Sequence, residues 1–371
     1  MPLVTPFRTS FGTETSRDIL LVRAIVASGS PDADGWGECV ALAQPTYSAE
    51  YVDGAQHVLE HHLVGRLVDD PERDGGFDAA RVAGRLAPVH GHPMAKAALE
   101  MAVLDAQLRA AGRSFAAHIG VDVDHGPVRI PSGVSVGIHD SVDDLLRTVS
   151  GYLEDGYVRI KLKIEPGADV DHVAAVRAMI GPDTPLQVDA NTAYRRTDGS
   201  HLARLDEYDL LLVEQPLPEE DIVGHARLAE EVVTPICLDE SLVSAATTQD
   251  AIELGACEIA NIKPGRVGGY LEAVRIHDLC RARGIPVWCG GMIETGIGRG
   301  ANASLAALPG FELPGDISAS NRFYARDVVV DPITLDGGHV TVPTTPGMGF
   351  GVDPGAMDDV TTASTTLPTT P

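Results

Sequence analysis

Residues 158–164 read VRIKLKI, and how this segment is taken decides the fold. Lys161 and Lys163 alternate with Ile160, Leu162 and Ile164, so an extended backbone sends both ammonium groups to one face and the branched side chains to the other. Seven further short apolar runs share its size: IPSGVSVGI (130–138), PLQVDAN (185–191), LLLVEQP (210–216), PICLDES (235–241), EIANIKP (258–264), IPVWCGG (285–291) and FELPGD (311–316). Helical spacing fills the intervals, as at Val170–Met179, Thr247–Leu254 and Gly269–Arg283. Strands alternating with helices call for a parallel sheet covered by helices, and eight such units predict a closed barrel with the two lysines facing inward.

Working outward, Asp18–Ala27 and Gly35–Val40 read as strands around the turn-rich SPDAD, and Ser48–Leu63 and Pro93–Ala111 carry helical spacing. The expected division is an α+β capping domain over 1–125, the barrel over 126–320, a segment 321–353 returning to the cap, and a disordered Thr- and Pro-rich tail over 354–371.

The chain has 371 residues, 44% hydrophobic and 22% charged, which suits a globular protein of two lobes. Its formal charge of −25 argues against nucleic acid or an anionic membrane as partner and leaves a small molecule. Five widely spaced cysteines form no C-x-x-C pair and read as reduced thiols. With no leader and no run of 18 apolar residues, the expected location is the cytoplasm.

Barrel enzymes hold their working groups at the carboxyl ends of strands. Lys163, Asp189, Glu214, Asp239 and Lys263 each end an apolar run, at separations of 26, 25, 25 and 24 residues. Three acids on consecutive strands would meet at one side of the barrel mouth and repel strongly without a cation. All-oxygen ligation selects a hard ion, so Asp189, Glu214 and Asp239 are expected to hold Mg²⁺, or Mn²⁺ in its place. Any one of them alone would read as a helix cap or a surface charge.

Two neighbouring lysines near a metal are expected to lower each other's pKa and free one as a base. Lys263, on the opposite side of the barrel, would face them across the substrate. A carboxylate bound at the metal has an acidified neighbouring carbon, because the metal stabilises the enediolate as charge develops. Two bases on opposite faces permit racemisation; one base with an assisting cation permits elimination.

With K-x-K on the second barrel strand and a lysine on the sixth, the sequence resembles the enolase superfamily, muconate-lactonising subgroup. The runs GYVRIKLKIEPG, LQVDANTAY, LLLVEQPL, TPICLDES, NIKPGRVGGYLEA, IPVWCGGMIETG and LPGDISAS look like the N-acylamino acid racemase (N-succinylamino acid racemase) / o-succinylbenzoate synthase family, over nearly the whole chain. The resemblance implies an α/β fold, a (β/α)7β barrel of TIM type with an α+β capping domain. It implies action on N-acyl, typically N-succinyl, amino acids or on the menaquinone-pathway precursor of o-succinylbenzoate.

Carried onto this sequence, the resemblance makes Lys163 the base for one face of Cα and Lys263 the acid/base for the other. In the dehydration Lys163 would be the base and Lys263 would stabilise the enediolate. Lys161 and Asn191 would support the carboxylate and metal site, and Arg266 would tune Lys263. Substrate-facing residues would be Phe7, Leu42 and Tyr47 from the cap, with Ser135, Gly291, Met292, Ile293 and Phe323 from the barrel. A homo-oligomer, commonly an octamer among relatives, is also implied.

Three departures stand out. Relatives usually carry about a dozen more residues before MPLVTPF, forming a first strand of the cap sheet whose edge would otherwise be unpaired. Asn321 stands where relatives commonly have aspartate, and Thr46 where they have a larger apolar residue. Rival readings are a dipeptide epimerase, a muconate-type cycloisomerase, a zinc hydrolase built on His90 and His92, and a non-catalytic barrel. Dipeptide epimerases usually show Asp-x-Asp on the eighth strand, where this chain has only Asp316. The stretch GIGRG (296–300) lacks the context of a dinucleotide loop and reads as a helix start.

Overall fold

In the computed structural model, residues 1–26, 33–68 and 78–367 are described. Ala27, the first three residues of the SPDAD turn and the tail residues 368–371 lie outside the described residues.

Two antiparallel pairs form the strands of the cap: β1 (Pro2–Thr9) with β2 (Gly12–Ser16), and β3 (Leu20–Ala24) with β4 (Gly35–Cys39). The long helix Pro93–Ala110, opened by its proline, packs on β4 and buries twelve of its eighteen residues. Glycine makes that packing close. A Cβ at Gly37 would stand 1.9 Å from the Ala98 carbonyl oxygen, and one at Gly35 2.0 Å from that of Ala102. The expected single helix over Ser48–Leu63 begins instead at Val52, widens into a π-helix over Leu59–Leu63 and resumes as α-helix over Val64–Val68. Its apolar spacing does not distinguish a 3.6-residue turn from a wider one.

β5 (Arg129–Pro131) leads into the barrel. Its strands are β6 (Gly133–Val136), β7 (Arg159–Lys163), β8 (Leu186–Asp189), β9 (Val213–Glu214), β10 (Ile236–Leu238), β11 (Ile259–Ile262) and β12 (Val287–Cys289). They lie side by side in chain order and all parallel, with helices such as Val142–Glu154, Val170–Ile180 and Tyr270–Arg283 between them. β13 (His339–Thr341) pairs antiparallel with β5.

The eighth expected strand, FELPGD, is not one. It makes single parallel bridges, Phe311 to Val287 and Gly315 to Ser132. Gly133 donates to the Gly315 carbonyl at 2.8 Å and Asp316 N to the Cys289 carbonyl at 2.9 Å, so the segment joins the free edges of β12 and β6. Pro314 has no N–H and cannot extend a ladder.

The tail also differs from expectation. Asp353 caps a helix over Pro354–Val360, accepting from Ala356 N at 3.0 Å, and Ala356 is buried. A cap and a buried contact order this segment despite its composition. No helix among the described residues is long and apolar enough to cross a membrane.

Candidate active site

The parallel register aligns the working residues. Lys163 pairs with Asp189 and Asp189 with Glu214 across β7, β8 and β9; Asp239 follows the last residue of β10 and Lys263 the last of β11. Asp189, Glu214, Asp239, Lys161 and Lys263 are all buried.

Each lysine stands against acids. Lys163 Nζ donates to Asp189 Oδ2 at 2.5 Å and to Asn191 Oδ1 at 2.7 Å. Lys161 Nζ reaches Asp316 Oδ2 at 2.6 Å, Glu214 Oε2 at 3.0 Å and Asp189 Oδ2 at 3.1 Å, and lies 4.7 Å from the centre of the Trp288 ring. Lys263 Nζ is 2.6 Å from Asp239 Oδ2 and 3.3 Å from the Tyr47 hydroxyl. Arg266 lies behind it, 3.5 Å from Asp239 Oδ1 and over the Tyr47 ring. Asn191, at φ 41°, ties Lys163 to the neighbouring Glu240, donating to Oε1 at 2.9 Å.

The expected mutual lowering of the two strand lysines does not hold for Lys161. Burial pulls its pKa down, but Asp316, Glu214 and Asp189 together outweigh burial and raise it. Lys263 is likewise raised: burial opposes it, and Asp239 leads the charges that overcome burial. Burial would raise Asp189, yet Lys163 and Lys161 hold it below the usual carboxylate range. Glu214 is raised by burial first and by the Asp189 charge second.

One cavity collects much of this set. Its wall contains Phe7, Val134, Ser135, Lys161, Lys163, Lys263, Gly291, Ile293, Glu294, Arg299, Asp316, Ser318 and Phe323. Phe7, Ser135, Gly291, Ile293 and Phe323, expected to face substrate, thus line one cavity with Lys161, Lys163 and Lys263. Tyr47 and Arg266 touch Lys263 or its partner acid from behind. Leu42 and Met292 are not in the wall: Leu42 bridges to Tyr51 within the cap, and Met292 is buried with its N–H on Glu294 Oε2 at 2.9 Å.

Several residues of the site escaped the sequence reading. Arg159 fixes the other oxygen of Asp316 at 2.9 Å. It precedes Lys161 by two positions, so the same alternation that aligned the lysines also places it. Asn261 donates to Glu214 Oε1 at 2.6 Å. Glu294, Arg299 and Ser318 follow glycine-rich or irregular segments that carry no periodic signal.

The donors suit a hard cation in kind. Asp189, Glu214 and Asp239 offer only oxygen, all buried, and Asp239 Oδ1 and Glu240 Oε2 have no hydrogen-bond partner. Buried carboxylate oxygens without a donor are costly unless a cation serves them. Among the described residues, however, no three His, Cys, Asp or Glu side chains are drawn into a ready ligand cluster. The ammonium of Lys161 stands against both Asp189 and Glu214 instead.

Comparison with known proteins follows the same lines. The family described as Enolase C-terminal domain-like matches residues 144–356, and the mandelate racemase / muconate lactonizing enzyme N-terminal domain matches residues 1–120. An N-succinylamino acid racemase of Amycolatopsis sp is 60% identical over 363 residues, covering 98% of this chain and 95% of its own. An o-succinylbenzoate synthase of Geobacillus kaustophilus is 45% identical over 353 residues, covering 95% and 91%. The crystal structure of an enolase-superfamily member from Listeria innocua Clip11262 superposes with a TM-score of 0.89 at 39% identity, covering 97% of this chain and 94% of that one.

Proposed function

The chain belongs to the enolase superfamily, as an enzyme of its mandelate racemase / muconate lactonizing branch, and we propose that it abstracts the proton α to the carboxylate of an N-acylamino acid, racemising it, or dehydrates the precursor of o-succinylbenzoate at the same site. The observation that carries this reading is that Lys163 and Lys263 share one cavity wall, each within 2.6 Å of a different strand-end carboxylate. Two ammonium groups held by separate acids on β8 and after β10 address a bound carbon from two sides. The likeness to an N-succinylamino acid racemase of Amycolatopsis and an o-succinylbenzoate synthase of Geobacillus supports both chemistries.

Lys163 is the base. Asp189 and Asn191 fix its nitrogen, so once deprotonated it takes the α-proton from a defined direction. Lys263, raised in pKa beside Asp239, holds its proton and delivers it to the opposite face, completing racemisation. In dehydration the same ammonium balances the charge developing on the carboxylate, while Lys163 takes the α-proton and hands it to the departing hydroxyl, which leaves as water. Lys161, kept charged by Asp316, Glu214 and Asp189, adds a fixed positive group toward the substrate carboxylate.

Enzymes of this superfamily generally use a divalent metal. Here Asp189, Glu214 and Asp239 would hold Mg²⁺, and the ion would act as a Lewis acid toward the substrate carboxylate. The dipeptide-epimerase reading is disfavoured because the single negative charge of Asp316 already faces two buried cations, Arg159 and Lys161, and has no surplus to balance a substrate ammonium.

The test is Cα deuterium exchange of N-succinyl-phenylalanine in D₂O with Mg²⁺, beside turnover of the cyclohexadiene acid precursor. Exchange or turnover is expected; inactivity toward acylated amino acids and the precursor alike refutes the reading.

A further inference from the structure

The run GGMIETGIGR (290–299) supplies Gly291, Ile293, Glu294 and Arg299 to the cavity wall and then opens the helix Gly296–Leu305. That helix is poorly equipped to start by itself. Glycine fills three of its first five positions, Gly296, Gly298 and Gly300, and is among the weakest helix formers. In a capping box the N-cap hydroxyl accepts from the third helical N–H, and a Glu or Gln at that third position accepts from the N-cap N–H. Here the N-cap hydroxyl, on Thr295, accepts one position early, from Ile297 N at 3.3 Å, and the third position is Gly298, which has no side chain.

Glu38, on β4 of the cap, performs both missing tasks. Its Oε1 accepts from Thr295 N at 3.0 Å and its Oε2 from Gly298 N at 3.0 Å, and the Thr295 hydroxyl donates to Oε2 at 2.7 Å. Asp327 accepts from Gly296 N at 2.9 Å, so every early amide has an acceptor. Glu38 and Thr295 are buried, and no water would replace a lost bond there without a cost. The helix has no room to carry the acid itself: a Cβ at Gly298 would stand 2.8 Å from Glu294 Cγ and 3.2 Å from Glu38 Oε2.

The wall just before this helix is strained at Ile293, with φ 60°, and Arg299 ties back to the Glu294 carbonyl at 2.7 Å. A strained loop persists only where its surroundings over-determine it. We propose that Glu38 is a positioning residue for the cavity wall: the cap provides the capping box that this barrel helix lacks, and so fixes where residues 291–299 stand against the substrate. The inference goes beyond the proton-abstraction reading and rests on it only for its kinetic readout.

The experiment is hydrogen–deuterium exchange of the whole protein, read by mass spectrometry, beside steady-state kinetics on N-succinyl-phenylalanine. Glu38→Ala strands three donors; Glu38→Gln keeps the volume but turns an amide NH₂ against one of them. In both, exchange over residues 291–298 is expected to quicken about tenfold or more relative to β8, which Glu38 does not touch. KM should rise about tenfold or more while kcat stays within about threefold, because Lys163 and Lys263 keep Asp189 and Asp239. Thr295→Ser, which keeps the hydroxyl, should match the wild type, and Thr295→Val should move as Glu38→Gln does. Exchange that quickens evenly over the wall and β8 would mark a merely structural residue and overturn the proposal. So would unchanged exchange, an unchanged KM beside local quickening, or failure of both Glu38 variants to fold. Should the wild type turn over no acylated amino acid, the proton-abstraction reading falls and the exchange ratio alone decides the role of Glu38.

Discussion

Lys161 Nζ lies 2.6 Å from Asp316 Oδ2, and the other oxygen of the same carboxylate lies 2.9 Å from Arg159. Asp316 therefore neutralises two buried cations from two positions on one strand, with Trp288 beneath both. Removing one partner of a buried ion pair costs about 3–5 kcal/mol, because the remaining charge stays buried. Asp316→Asn is expected to lose about 3 kcal/mol or more in urea unfolding. A loss under about 1 kcal/mol would mean that Glu214 and Asp189 suffice for Lys161 and that Arg159 finds carbonyls enough.

The division of labour between the lysines predicts asymmetric exchange. Lys163→Ala and Lys263→Ala should each lower racemisation by about 10³-fold, in the range that positioned acid–base groups contribute. Each variant should still exchange the α-proton of at most one enantiomer, the one facing the lysine that remains, and the double variant should exchange neither. Deuterium incorporation into separate D- and L-N-succinyl-phenylalanine reads this directly. Full racemisation by either single variant would refute the two-sided assignment.

The legible part of this site was the part carried by strand alternation and unit spacing. Lys161 and Lys163 declared a common face through the branched residues between them, and the steady interval from Lys163 to Lys263 marked five strand ends. Arg159 obeys the same alternation, but its partner Asp316 lies 157 residues away, and a lone acid in LPGDISAS carries no local sign of what it neutralises. FELPGD failed as a strand for a local reason, since Pro314 cannot donate, yet it still closes the barrel through Gly315 and Asp316. Composition misjudged residues 354–360, because one cap and one buried alanine ordered a segment whose average character is that of a loop.

Ile293 adopts φ 60°, a left-handed conformation that is costly for a β-branched residue. It is held there by the Tyr324 hydroxyl, which donates to its carbonyl at 2.7 Å, and by Glu294, which accepts from the preceding Met292 N–H at 2.9 Å. Strain at a cavity wall inverts a familiar order. In ordinary backbone alanine is more stable than glycine by about 0.5–1 kcal/mol, but at this φ only glycine escapes a penalty of about 1–2 kcal/mol. Ile293→Gly is therefore expected to unfold at higher urea than Ile293→Ala, by about 1 kcal/mol in stability. The ordinary order, with alanine the more stable, would show that the loop relaxes once the branched side chain is gone.

Glu100 makes the joint between cap and barrel sensitive to pH. Its carboxylate, fully enclosed on the helix Pro93–Ala110, accepts from Tyr270 N at 3.0 Å and Leu271 N at 2.9 Å, at the start of the barrel helix Tyr270–Arg283. Burial is the largest influence and pushes its pKa up to about 7 against the two amide donors. Because the folded value exceeds the unfolded one of 4.5, the folded state binds more protons between the two, and stability falls as pH rises through that window. Below the unfolded value both states are protonated and the term vanishes; above about 7 its full size, about 3 kcal/mol, is reached. Glu38, also pushed up to about 7 by burial, acts in the same direction. Asp316, held below the usual range, destabilises only at pH below about 4, outside this window. Wild-type unfolding free energy should therefore drop between pH 5 and pH 8, and Glu100→Gln, which cannot ionise, should flatten that drop by about 3 kcal/mol. A slope identical in the two proteins would show that Glu100 is already ionised in the folded state at pH 5.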